Sequence, residues 1–280
     1  MTNKTRLLSD VNSGPSPAIF KDLGKLRDDA DLGNCMFFDD DFTVPGRYVS
    51  NTVEQGYLTY QDTNVSITGK AVNDTDIELG VLDIDVLDTD NDEGSIQFGS
   101  TNQWRLGSVN NTSVVGYEVR LRVDELAANE TCIAVGMTEG IVDTALSVDD
   151  TAAVKASVSY IGFRSLVADP VNLDVVYQNT ATAGVTTLQA NAAALVENTY
   201  TKLGFLYDPT VLDVTKRMRF FQDGVEVAAA NATQIAGANF PLNEGMVPFV
   251  LGKTFGSGTS GTVSIDRVTG FMYRNGVQGP

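Results

Sequence analysis

Tyr117-Glu118-Val119-Arg120-Leu121-Arg122-Val123 alternates apolar or aromatic with charged side chains. A period of two suits a strand, whose successive side chains point to opposite faces. The rhythm recurs in Lys202-Leu203-Gly204-Phe205-Leu206-Tyr207 and in Arg217-Met218-Arg219-Phe220. Gln222-Asp223-Gly224 then predicts a hairpin to residues 225–227, because Asp-Gly accepts the positive φ values of a tight turn. Further strands are expected at 56–60, 65–68, 77–87, 95–98, 131–137, 157–163, 173–177, 249–252 and 262–273. Short helices are expected at 149–155 and 190–196, and a flexible loop at Gly256-Ser257-Gly258-Thr259-Ser260-Gly261. Many short strands with Gly-rich turns imply an all-β fold of two antiparallel sheets packed face to face. Its expected core holds Val119, Leu121, Val123, Ile133, Val135, Phe163, Leu203, Phe205, Phe220 and Ile265.

Composition narrows the function. The chain has 280 residues, 42% of them hydrophobic and 20% charged, enough to bury a core. Lys plus Arg number 19 against 36 Asp plus Glu, a formal charge of −17. A nucleic-acid face needs clustered cations, so no nucleic-acid partner is expected. Histidine is absent, which removes Ser-His-Asp and Cys-His nucleophilic sites and every His-ligated metal site. Cys35 and Cys132 are the only thiols. They read as small core hydrophobes, with a disulfide left open. No stretch approaches the roughly 18 apolar residues of a membrane span, and Met1 to Asp10 lack the apolar core of a secretory signal. Synthesis in a cytoplasm, with no membrane partner, is the expectation.

Residues 1–34 differ from the remainder, 35–280, which reads as the sandwich. Ser13-Gly14-Pro15-Ser16-Pro17 enforces extended backbone. Ile19, Phe20, Leu23 and Leu26 supply an apolar set, and Lys21, Lys25 and Arg27 supply cations. An extended N-terminal arm that docks these residues on a neighbouring subunit is expected.

The densest acidic stretch runs from Asp83 to Glu93. Asp88, Asp90 and Asp92 match the first carboxylates of a helix–loop–helix calcium loop, but Glu93 stands where its turn Gly belongs and Gly99 where its bidentate Glu belongs. Asp83-x-Asp85-x-x-Asp88 has the spacing of a retaining glycosidase pair, with Asp at both outer positions instead of Glu. A solvated strand and turn is the reading carried forward. Asp39-Asp40-Asp41 reads as an acidic surface over Phe37, Phe38 and Phe42, and Arg217 and Arg219 as a solvated strand face. No catalytic, cofactor-binding or metal-binding residue is assigned.

Several segments in order carry a resemblance. They are Met36-Phe37-Phe38-Asp39-Asp40-Asp41-Phe42, Tyr117–Val123, Cys132–Glu139, Ile161-Gly162-Phe163, Thr201–Tyr207 with Asp208, Arg219-Phe220-Phe221-Gln222-Asp223-Gly224-Val225, Pro248-Phe249-Val250-Leu251-Gly252 and Ser264-Ile265-Asp266-Arg267-Val268. Over residues 16–275 they resemble the concanavalin A-like (laminin-G-like) jelly roll of tailed-bacteriophage virion proteins. Ser16-Pro17-Ala18-Ile19-Phe20-Lys21-Asp22 resembles the lead-in of such proteins. The resemblance implies a non-enzymatic capsid decoration (cement) protein on the virion exterior. Its implied partners are the major capsid protein and neighbouring copies of itself in a homo-oligomer or lattice. The alternative it implies is a carbohydrate-binding adhesin on a head or tail appendage, with a host surface glycan as partner. The metal-binding Asp/Asn/His set of the sugar-binding lectins of this fold is not found.

Overall fold

The strand that carries the deciding alternation, β6 (Ser113–Val123), lies in the middle of a sheet and is buried along most of its length on both faces. The computed structural model describes residues 15–20, 35–42, 57–70, 80–87, 89–99, 104–107, 113–127, 130–139, 147, 154–155, 157–181, 184–255 and 260–274. The remaining strands are β1 (Cys35–Asp40), β2 (Tyr57–Gln61), β3 (Val65–Lys70), β4 (Val81–Val86), β5 (Glu93–Phe98), β7 (Cys132–Glu139) and β8 (Tyr160–Leu166). They continue with β9 (Asp169–Gln178), β10 (Thr186–Ala194), β11 (Thr201–Tyr207), β12 (Met218–Gln222), β13 (Val225–Ala230), β14 (Met246–Lys253) and β15 (Gly261–Arg274). Two short helices, α1 (Pro17–Phe20) and α2 (Ala232–Ala236), complete the named elements used below.

Two antiparallel sheets form. One has eight strands in the order β13-β12-β11-β6-β15-β4-β3, with β1 also paired to β15. The other has seven, β10-β9-β8-β7-β14-β5-β2. The long β15 binds β6 along one side. Its other side is shared, β4 taking Gly261–Ile265 and β1 taking Val268–Tyr273. The first and last strands thus lie side by side.

The core sits between the sheets. Val119, Leu121, Val123, Leu203, Phe205, Phe220 and Ile265 meet Ile133, Val135 and Phe163 in one buried cluster, as the alternation predicts. Phe38 and Phe42 also pack inward, whereas Phe37 is exposed. The Asp-Gly hairpin is present: Asp223 (φ 49°) and Gly224 (φ 77°) join β12 to β13. Cys132 is a buried free thiol.

One expectation changes. Residues 190–194 are strand, not helix, because backbone pairing to β9 overrides the helix propensity of their alanines. The polar faces of the central strands are also less solvated than an alternating pattern implies. Glu118, Lys202 and Arg267 are buried with their partners. Of the expected helix at 149–155 only Val154 and Lys155 are described, and Val154 bridges Ser147 in antiparallel fashion. Residues 77–79 and 256–259 lie outside the described residues. No helix among the described residues is long and apolar enough to cross a membrane.

Phe220 packs its ring edge-on against Phe163 at 5.8 Å and near Phe205 at 6.0 Å, with no exposure to water. Phe220→Ala should cost about 3–5 kcal/mol of unfolding free energy in urea, from lost transfer energy plus the cavity left behind. A change within about 0.5 kcal/mol would place this ring on the surface.

Candidate functional site

The charged side of β6 faces away from the core. There the register sets Arg120 beside Lys202 of β11 and Arg267 of β15. Three cations abreast repel, and acids from neighbouring strands offset that. Arg120 Nη1 donates to Asp266 Oδ2 at 2.5 Å. Arg267 donates from Nε (2.7 Å) and Nη2 (2.5 Å) to the two oxygens of Asp39, which also accepts from Thr269 Oγ1 at 2.9 Å. The Lys202 backbone N–H donates to Asp223 Oδ1 at 2.9 Å, tying the β12–β13 turn to β11. The Arg120 guanidinium lies 4.3 Å from the Tyr200 ring centre and that of Arg122 5.3 Å from it, so two cations share one aromatic ring. The Asp39-Asp40-Asp41 cluster of the sequence is therefore structural in part: Asp39 holds Arg267, and Asp40 accepts from Tyr57 Oη at 2.6 Å.

The arm meets this face. Ile19 and Phe20 are 3% and 7% exposed and pack with Leu206, Phe221 and Phe271. Phe20 stands edge-on to Phe271 at 5.7 Å. The seat exists because Gly204 has no side chain: a Cβ there would lie 2.7 Å from Ile19 Cδ1 and 2.5 Å from the Tyr117 carbonyl. Ser16 N–H donates to Glu118 Oε1 at 2.9 Å. The sequence reads Ile19 and Phe20 as docking on a neighbouring subunit. They occupy a nearer apolar seat on their own sheet, which entails no loss of translational freedom. Lys21, Leu23, Lys25, Leu26 and Arg27 lie outside the described residues.

The outer face of the seven-stranded sheet is covered in part as well. Ala134, Tyr160, Val176, Phe249 and Leu251 project from it and are covered by Val154 and Val158. Beside them Lys253 Nζ lies 3.9 Å from Glu93 Oε2, both side chains fully buried. Ser147 donates to the same oxygen from its backbone N at 3.0 Å and from its hydroxyl. Cys132 lies opposite Lys253 in the ladder and packs with Phe255 and Val167. Burial pushes its thiol up to about 12.

The acidic stretch is divided by this geometry. Asp83 and Asp85 share the outer face of β4, where Asp83 is buried and Asp85 accepts from Ser66 and Thr262 hydroxyls at 3.3 and 3.0 Å. Asp88 lies outside the described residues. Asp92 is buried at the end of the β4–β5 turn, and burial raises its pKa against hydrogen bonds from Asn64 and Thr89. Among the described residues no three His, Cys, Asp or Glu side chains gather as a metal-binding group. Arg219 lies 3.9 Å from Glu226 and over the Phe221 ring, so its strand face is partly paired rather than simply solvated. The Glu93–Lys253–Ser147 cluster is absent from the sequence reading. Its one signal is a Lys closing the apolar run Val247-Pro248-Phe249-Val250-Leu251 after a Gly, a position facing the sheet's outer side.

No protein-family model matches the chain, and no curated protein does. Solved structures do. A protein of unknown function from Shewanella oneidensis MR-1 matches at 13% identity and TM-score 0.54, over 88% of this chain and 90% of that one. The fold is a concanavalin A-like jelly roll. Peanut lectin in complex with a 9-residue peptide aligns at 12% identity and TM-score 0.50, covering 86% of this chain and 98% of the lectin. An endo-1,3-beta-glucanase from Streptomyces sioyaensis aligns at 14% and 0.50, covering 87% and 98%. A lectin and a glucanase on one jelly roll separate role from architecture, so this likeness establishes the fold alone.

Glu118 yields a pH test. Burial raises its pKa, opposed by the Ser16 hydrogen bonds and by Lys202 and Arg267. The folded chain therefore binds this proton more tightly than the unfolded chain. That contribution is present below the unfolded pKa and lost as pH rises through the folded value. Glu118→Gln keeps an oxygen for Ser16 and cannot ionise. Its stability relative to the native chain, read from urea midpoints, should rise with pH upward from the ordinary glutamate range. A difference independent of pH would show that Glu118 titrates as an ordinary glutamate.

Proposed function

We propose that this chain is a non-enzymatic structural protein of a tailed-phage virion, attached to the outside of the capsid shell with the major capsid protein as its partner. The observation that carries this reading is the partly covered outer face of the seven-stranded sheet. Ser147, Val154 and Val158 lie over it, and Glu93 and Lys253 beneath them are wholly buried. The part of this face covered by Val154 and Val158 gives a chain-like substrate no purchase there. Of the glycosidase pair, Asp83 is buried and Asp88 lies outside the described residues, while Asp85 between them accepts from two hydroxyls. The charge of −17 suits a body that stays soluble at high copy number. The order of motifs from Met36 to Val268 supplies the virion context.

Attachment then falls to the sandwich body and to the arm residues beyond the anchored helix: Lys21, Leu23, Lys25, Leu26 and Arg27. The experiment is to mix the purified full chain with tailed-phage shells lacking decoration and to image them by electron microscopy. Ordered density on the outer shell, with no release of reducing ends from 1,3-β-glucan, is the expected result. Binding to a host surface glycan without shell binding would overturn the reading in favour of an adhesin. Glucan turnover abolished by Asp83→Asn would overturn it in favour of an enzyme.

A further inference from the structure

Two long segments, 175–196 and 227–243, contain no Asp, Glu, Lys or Arg, in a chain that is 20% charged overall. The topology brings them to one side of the molecule. The first contains β10, the edge strand of the seven-stranded sheet. The second contains most of β13, the edge strand of the eight-stranded sheet, and runs on through α2. The two edges lie against each other. Asn239 Nδ2 donates to Thr186 Oγ1 at 3.1 Å, and the Tyr177 and Phe240 rings meet at 5.2 Å. Thr187, Gln189, Ala190 and Asn191 on β10, with Ala232 and Ala236 on α2, are exposed along this side. A molecule of charge −17 thus has an uncharged run of described residues along this edge.

We propose that this edge joins two copies of the chain. Like-charged copies repel wherever acids face acids, and burying those acids would cost desolvation energy. The neutral edge avoids both costs. A two-fold contact places the same patch on each partner, so an uncharged patch is compatible with itself. β10 also lacks the Lys, Glu and Pro residues that commonly block pairing at a sheet edge. Its register shifts between Thr187 and Ala193, where Asn191 has a φ of 48°, bend the middle of the strand. The contact is therefore made by side chains more than by a continuous ladder.

Three acids bordering the patch are held on their own chain. Asp174 accepts from Asn191 N at 3.0 Å, Glu226 lies 3.9 Å from Arg219, and Glu244 accepts from Asn179 at 3.4 Å. They are like charges at the rim of a two-fold contact, so added salt should tighten the dimer rather than weaken it.

The test is sedimentation velocity on the full chain, without shells, at low and high salt. It is therefore independent of the virion reading. The 29.9 kDa chain should form a dimer that strengthens with salt. Ala190→Glu and Ala236→Glu should each weaken it more than about tenfold, with an unchanged circular dichroism spectrum. Thr63→Glu adds the same charge at the exposed β2–β3 turn, near the opposite edges of the sheets, and should leave the dimer intact. A chain that stays monomeric up to about 100 μM would overturn the proposal, including where the same edge proves to bind a shell. So would a dimer weakened equally by all three substitutions.

Discussion

Arg120 in the middle of β6 sets the problem that the surrounding structure solves. Its strand is flanked on both sides, so its side chain points out of the sheet beside Lys202 and Arg267. Cations this close are tolerated only where acids and an aromatic face surround them. Asp266, Asp39 and Glu118 come from β15, β1 and β6, and Tyr200 lies just before β11. The pairing of β1 with the last strand follows the same logic, since it brings Asp39 to Arg267 and Thr269.

Cover for this face comes in part from the chain's own N-terminal segment. Ile19 and Phe20 extend the apolar end of the outer surface where Leu206, Phe221 and Phe271 stand, and Ser16 reaches Glu118 at its polar end. The opposite face follows the same plan with other residues. Val154 and Val158 cover Tyr160, Phe249 and Leu251, while Ser147 bonds Glu93 beside Lys253. Each sheet thus has a packed inner face and an outer face closed at least in part by the chain itself. Among the described residues, the side where β10 and β13 meet carries exposed residues without charge. Structure and composition agree in marking that side as different from the rest of a strongly acidic surface.

The fold was legible from alternation alone. Val119, Leu203 and Phe220 announce an inner face, and Asp223-Gly224 announces a hairpin, because these signals are local and follow from side-chain direction and turn geometry. The outer faces were not legible. The burial of Glu118, Lys202 and Arg267 could not be read locally, because burial of a strand's second face depends on which distant segment lies over it. Ser16 and Glu118 are 102 residues apart, and Glu93 and Ser147 54 apart. The arm shows the same limit. An apolar Ile19-Phe20 pair predicts docking, but its seat is opened by Gly204, a residue whose meaning lies in what it lacks. The alanines at 192–194 misled in the other direction, since their helix propensity is overridden by an edge pairing that no local window contains.

Closure of the outer face is most directly measured at Cys132. This thiol lies on the covered side of the seven-stranded sheet, fully buried beside Phe255. In the full chain carrying Cys35→Ser, a thiol reagent at neutral pH should leave Cys132 unmodified as long as the fold persists, and label it at once in denaturant. That result is expected if the chain's own residues seal this face. Labelling of the native protein at the rate of an exposed cysteine would contradict it, and would mean that the face is open to a ligand.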